Sequence, residues 1–406
     1  MESNRKTLIT PLLLFAAASC LWGLYAGLYD PSFNNYLSQV HNIDEVARGA
    51  LEFPRELPGF LCAFIFSLFM FLADTRIAAL MSLLLALSLW GQGFLAPNMS
   101  MVVLWMLMWS TGAHVYMVVK SSIALRLADK GREGKLMGDL GALEALGLLL
   151  GMTLVYFGVS YANFSFPVIF GLAGTFTFIA ALLLYGIKAE RVSKAKPKLL
   201  LKRKYGLFYL INMIFGARKQ VFLTFAPWVL IKIFHCGVES FALLGIIATL
   251  IGLVFRPLLG RAIDAWGERK VLSIDAILVT SLCILYAFAQ DIFSDSIALI
   301  IIMSCFVADQ VLFAITMARV TYLNRIVDSS ADLAPSISMG ITLDHGVSMT
   351  VPFLGGLLWA GLGYQAVFIA AGILGLLSLV VARFIPPSEP QEEQGKPDGR
   401  VSDIHS

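Results

Sequence analysis

Residues 260–272 read Gly260-Arg-Ala-Ile-Asp264-Ala-Trp-Gly267-Glu-Arg269-Lys270-Val-Leu. This polar stretch is wedged between two long apolar runs, residues 240–260 and 270–289. A glycine at 260 lets helices approach closely, and an acid at 264 can cap or salt-bridge a neighbouring helix end. Gly267 then turns the chain ahead of Arg269 and Lys270, cations that stay in water rather than enter hydrocarbon. The stretch is the reversal between two membrane-crossing helices.

The rest of the chain repeats that theme. Of 406 residues, 58% are apolar and 14% charged, and mean hydropathy is +0.79. A soluble domain carries about a quarter charged residues, so a soluble protein of this size would lack the surface it needs. The apolar runs reach the roughly twenty residues that cross a bilayer as helix. The short alternating segments of membrane barrels are missing. The expected fold is therefore all-α and integral to a membrane. Cutting at charged and Gly/Pro/Asn breaks gives twelve spans, near 12–38, 49–72, 77–95, 100–127, 135–158, 164–187, 205–232, 240–260, 270–289, 297–324, 334–358 and 364–385. The stretch after Met1–Thr10 is too long for a signal peptide and reads as the first span.

Charge placement orients the chain. With the N-terminus in the cytoplasm, twenty-two of the 30 Lys and Arg fall in cytoplasmic segments, and only Arg48 and Lys232 lie outside. The positive-inside rule therefore expects both termini in the cytoplasm, in a plasma membrane or a bacterial inner membrane. Eight bases against Glu190 make residues 188–204 a basic linker between six spans and six. It serves as a topogenic signal or a contact for anionic lipid. The expected organisation is a cytoplasmic N-terminus (1–11), a six-helix bundle (12–187), that linker, a second six-helix bundle (205–385) and a tail (386–406). The tail, proline-rich with five acids and two bases, is expected to be disordered.

The halves look duplicated. Gly27 to Phe33 matches Gly216 to Phe222 at an offset of 189, and Asp74 matches Asp264 at 190. Paired halves with a midplane substrate site are how many secondary transporters are built. Net charge is a slight +3, which gives no case for nucleic acid. The five cysteines are scattered without CxxC or metal-like spacing, so neither a disulfide framework nor a metal site is indicated. HExxH and GxSxG patterns are absent; no enzyme and no cofactor is expected.

The stretch at 260–270 resembles the loop signature of the major facilitator superfamily, carried here by Gly260, Asp264, Gly267, Arg269 and Lys270. A degraded copy, Phe71-Leu-Ala-Asp74-Thr-Arg76, follows span two, keeping Asp74 and Arg76 but losing both glycines. The resemblance covers residues 12–385 and implies twelve transmembrane helices in two pseudo-symmetric six-helix bundles, working by alternating access. The loops would latch the cytoplasmic side shut in one conformation. The drug–proton antiporter and sugar-porter signatures are missing, so no subfamily is assigned.

Charge inside a span costs on the order of 2.5–3.5 kcal/mol and needs a reason. Asp30 and Asn34 end span one, while Arg218 and Lys219 lie in span seven. The pseudo-repeat sets Lys219 where Asp30 sits, and the resemblance implies that both spans line a central cavity. A carboxylate facing a cation there is either a substrate or proton switch, or a structural pair locking the halves. In span two Glu52 can pair with Arg55 three residues on, which leaves Glu56 seeking a partner or a proton, as a gate or a rim cluster. Lys120 and Glu144 lie at similar depth and are expected to form a structural pair. His114 lies near midplane. Asp309, Asp344 and His345 form either a proton relay or a buried hydrogen-bonded group. Arg256 is expected to snorkel to the cytoplasm, and Arg126 and Arg325 to serve topology alone.

The function expected is secondary transport by a monomer, of a small organic anion or zwitterion, in a lipid bilayer and coupled to protons. Asp30, Asn34, Arg218, Lys219 and His114 would bind substrate; Asp30, Glu56, Asp309, Asp344 and His345 would carry protons. Two other readings stay open: efflux of amphipathic compounds, or a sensor or lipid-handling protein on the same fold.

Overall fold

A computed structural model describes residues 2–129, 131–188 and 199–387. Most of the linker expectation (189–198) and of the tail expectation (388–406) lies outside the described residues. Every regular element among those described is helical: α1 (Glu2–Gln39), α2 (Glu45–Ala50), α3 (Glu52–Phe60), α4 (Cys62–Ser67), α5 (Asp74–Phe94), α6 (Met99–Leu127), α7 (Glu133–Ala162), α8 (Phe166–Gly186), α9 (Gly206–Lys232), α10 (Val238–Ile292), α11 (Asp295–Leu312), α12 (Thr316–Ile326), α13 (Ser330–Leu362) and α14 (Tyr364–Ala382), with two single 3-10 turns. Eight of these helical stretches are long and apolar enough to cross a membrane. Two sequence features add one crossing each to these eight, and α9 and α13, too polar to be counted among them, complete the twelve.

The first feature is span two, whose two prolines are expected to loosen it and which is found as three short helices, α2 to α4. Pro54 and Pro58 cannot donate to the carbonyls four residues earlier, and the helix breaks at Leu51 and again at Leu61. The second is α10, which runs 55 residues and would be too long for one crossing but for Gly267, at φ 76° and ψ 160°. That backbone region is open essentially to glycine alone, so spans eight and nine fold back on one another there.

In the first half, α1 packs against α7 and α8, and α5 against α6 and α8. Trp22 stacks on Tyr116 at 3.7 Å, and its indole N–H donates to Ser82 Oγ at 3.0 Å. In the second half, α10 packs on α14 and α11, and α9 on α13, with Tyr286 stacked on Phe368 at 4.3 Å.

The loop acids act within each half. Asp74, the first residue of α5, accepts from Ser122 Oγ at 2.6 Å and from the Arg126 guanidinium. Arg76 donates to the Tyr185 carbonyl and lies 4.1 Å over that ring. In the second half Arg325 reaches Glu268 at 3.2 Å. Glu268 is buried while Asp264 is exposed, so the partner of Asp74 in the repeat is Glu268, four residues from the acid that sequence alignment picks. Asp264 points away because it lies before the Gly267 turn, on the solvent face of the helix. Arg126 and Arg325 thus hold helix ends together as well as marking topology.

Candidate functional site: a cavity between the halves

The two halves meet unevenly. At one end α2 runs backbone to backbone against α13: a Cβ on Gly49 would lie 2.1 Å from the Pro352 carbonyl oxygen, and one on Gly356 would lie 2.5 Å from that of Glu45. Only glycine permits such contact. Further along, α10 meets α7, with Gly245 against the Met152 sulfur. Toward the end carrying the 260–270 turn the halves part. Gly141 and Gly138 continue the α7 face that Ala145 presents to the cavity, and Gly260 continues the α10 face of Gly252 and Arg256. A Cβ on Gly138, Gly141, Gly252 or Gly260 would meet nothing within 4 Å. The cavity is shut at one end and open at the loop end.

Its volume is about 410 Å³. The first half contributes Tyr29, Asp30, Phe33 and Asn34 from α1 and Arg55 from α3; the second contributes Phe241, Thr249 and Arg256 from α10 and Phe306 and Gln310 from α11. Asp30 and Arg256 are both exposed into it, and Arg256 has no ion-pair partner among the described residues. The snorkelling expected of Arg256 is corrected: the parting of the halves brings water to the guanidinium, so it need not reach the membrane surface.

A buried network closes the shut end. Glu52, 0% exposed, accepts from Arg48 Nη1 at 2.5 Å, from Arg55 Nη1 at 2.9 Å and from the Gln220 amide of α9. Arg48 also donates to Asn34 Oδ1 at 2.8 Å. The Glu52–Arg55 pair therefore belongs to a bridge between the halves. Glu56, one turn on, faces α13, and His345 Nδ1 lies 2.7 Å from its Oε2.

The cations of span seven are already matched. Lys219 donates to Asp344 Oδ1 at 2.7 Å, so it does not face Asp30 as the pseudo-repeat suggested; the helices of each half turn their charges toward nearer neighbours. Arg218 lies 3.9 Å from Asp275 and 4.0 Å from Asp309. The expected Asp309, Asp344 and His345 group is divided among three partners: Arg218, Lys219 and Glu56. His114 packs against His345, ring centroids 4.9 Å apart, outside the cavity lining. Lys120 and Glu144 form an ion pair between α6 and α7.

Three residues escaped the sequence reading. Asp275, alone in an apolar run, is buried with Oδ1 unpartnered; its isolation was the available signal. Arg48 looked like an external residue yet is 1% exposed. Gln220 carries no charge to flag it.

Two helical bundles about a cavity open at one end are the architecture of a membrane solute carrier. The chain belongs to the Major Facilitator Superfamily, whose family model matches residues 57–338 and 208–404. Among solved structures it is similar to a mutant of the nucleoside transporter NupG (TM-score 0.77, 13% identity, covering 92% of this chain and 99% of that one). It is also similar to a D-xylose-proton symporter (TM-score 0.67, 17% identity, 93% and 98%). A third is the xylose transporter XylE from E. coli in a partially occluded inward open conformation (TM-score 0.66, 16% identity, 95% and 100%). At these identities the likeness speaks to the fold alone; secondary transport by alternating access follows from the family. No curated protein matches the sequence.

Proposed function

We propose that this chain moves a small organic anion or zwitterion across the membrane in exchange for, or together with, protons. The observation that carries the reading is Arg256, a cation with no ion-pair partner among the described residues, which lines the cavity together with Asp30. A substrate carboxylate satisfies the guanidinium in a bidentate pair, and a donor at its other end meets Asp30. Phe33, Phe241 and Phe306 supply apolar wall for the body between. The substrate-attracting role expected of Arg218 and Lys219 passes to Arg256, because carboxylates already neutralise the other two.

Proton coupling is assigned to Asp309 and Asp30. Asp309 and Asp275 share one guanidinium, and at 4.0 and 3.9 Å neither holds it firmly. A proton on one carboxylate releases Arg218 to the other, a change that can be passed to the helices. That a similar fold serves a D-xylose-proton symporter is consistent with such coupling. With the basic loops in the cytoplasm, the cavity described here faces inward.

Counterflow in proteoliposomes tests both halves of the proposal. Labelled carboxylates are expected to exchange saturably, with uptake driven by an imposed pH gradient and lost in Asp309→Asn. Exchange of neutral solutes only, unaltered by Arg256→Ala, would overturn the substrate assignment. Uptake indifferent to the gradient would overturn the coupling.

A further inference from the structure

Glu56, His114 and His345 come together from three separate helices, α3, α6 and α13, and one ligand-capable atom from each lies within 4.8 Å of the others. We infer that these three side chains form a binding site for a divalent transition metal ion of the zinc class, one that ties the two halves together at the shut end of the cavity. The inference concerns metal binding by the folded chain and does not depend on what the cavity transports.

The site is built, with each part in place before any ion arrives. Gly59 lies on the same face of α3 as Glu56, and a Cβ there would fall 2.7 Å from His114 Nε2 and 2.8 Å from His345 Nδ1. Both ring nitrogens therefore converge on space that only glycine leaves free. The Nδ1 of His114 lies 2.9 Å from the Ser110 carbonyl oxygen. The Ser110 hydroxyl, 3.1 Å from the same Nδ1, is committed as a donor to the Arg55 carbonyl at 2.5 Å. Both neighbours of Nδ1 are thus acceptors, so Nδ1 carries the proton and Nε2 keeps its lone pair for a ligand. Orientation of a ligating imidazole through its other nitrogen is the usual support of a metal site.

The donor set selects the metal. Two imidazoles and a carboxylate, with water in the fourth position, suit zinc, whereas magnesium and calcium prefer all-oxygen shells. Bonds of about 2.0–2.2 Å place tetrahedral ligand atoms roughly 3.3 Å apart. No pair therefore need draw in by more than about 1.5 Å, within reach of side-chain rotation. As the bond to His345 Nδ1 forms, the proton that nitrogen shares with Glu56 leaves to water. The two nearest cations do not repel the ion unopposed, since Arg55 is held by Glu52 and Lys219 by Asp344. Glu56 and His114 belong to the first half and His345 to the second, so an occupied site opposes the separation of α3 from α13.

Untagged full-length protein stripped with a chelator provides the test. Zinc titration by calorimetry is expected to show one saturable site of micromolar Kd or tighter, and zinc should raise the melting temperature. His114→Ala and His345→Ala should each weaken binding tenfold or more, while a His41→Ala, His235→Ala double variant should bind as the parent does. Cobalt substituted for zinc should give the absorption of a tetrahedral site in the parent alone. His345→Gln, which can still hydrogen-bond Glu56, guards against misfolding: it should melt near the parent without metal yet gain nothing from zinc. Absence of saturable zinc binding, or an affinity unchanged when His114 and His345 are both replaced, would overturn the inference.

Discussion

A single guanidinium separates the cavity of this chain from a merely polar cleft. Removing it as Arg256→Ala is expected to raise KM for a carboxylate substrate about tenfold or more, the equivalent of roughly 1.4 kcal/mol, with little change in kcat. Arg256→Lys should recover only part, since an ammonium cannot pair bidentately. An unchanged KM in both would remove Arg256 from the site. Glu52 sets a second residue-scale expectation. Its carboxylate is the one counter-charge of Arg48 among the described residues, and Arg48 is 1% exposed. Breaking a buried pair by deleting one partner costs about 3–5 kcal/mol. Glu52→Gln should therefore lower the melting temperature markedly; a variant that melts with the parent would show that Arg48 finds other support. Sequence flagged Glu52 through its spacing from Arg55; Arg48 stands only four residues before Glu52, whereas Gln220 joins the network through a contact spanning 168 residues.

Elements turn on their glycines and their ends. Gly267 holds the reversal inside α10 at φ 76°, and Gly267→Ala should cost about 1–3 kcal/mol of stability. Equal stability would mean that the turn relaxes to another geometry. The segment before α9 depends instead on charge. Lys202 donates to Asp332 Oδ2 at 2.5 Å, Lys204 pairs with Asp328, and Tyr205 donates to Asp332 at 2.8 Å. The Lys204 hydrogen bond holds the Asp328 carboxyl below its usual range, and the Lys202 and Tyr205 hydrogen bonds do the same for Asp332. Groups with depressed pKa stabilise the folded state above their unfolded value, near 3.9, and the contribution fades as pH falls through the lower folded value. Hydrogen exchange across residues 199–205 should thus stay slow from neutral pH to about pH 4 and quicken below it. Asp332→Asn should quicken it at neutral pH as well, and exchange insensitive to both would dismiss the ion pairs as anchors. The break of span two was legible as Pro54 and Pro58, but where α2 to α4 would point was not, because proline frees a helix to bend without choosing a direction.

At the scale of the molecule, the shut end rests on backbone contact between α2 and α13, with Gly49 against Pro352 and Gly356 against Glu45. A side chain at either glycine has no room in this state and full freedom once the halves part there. Gly49→Leu or Gly356→Leu should therefore shift the population toward the opposite opening. A cysteine placed at Gly141, on the open side, should then react with a membrane-impermeant thiol reagent several-fold more slowly than it does in the parent background. Undiminished labelling would mean that the α2–α13 contact does not set the balance. Such a shift needs only a few kcal/mol of difference between the two states, which one misplaced side chain readily supplies.

What the sequence determined by itself follows from local physics. Apolar run length set the crossings, basic residues set the expected orientation, and the 260–270 stretch marked the family. Each depends on residues close together in the chain, against a bilayer that treats every segment alike. The tertiary structure decided which charge meets which. Lys219 took Asp344 rather than Asp30, Glu268 rather than Asp264 became the counterpart of Asp74, and Arg256 was left in the cavity wall with no ion-pair partner among the described residues. Coulomb attraction falls with distance and rises with burial, so partners are settled only when the helices pack, and that packing is not written in spacing along the chain.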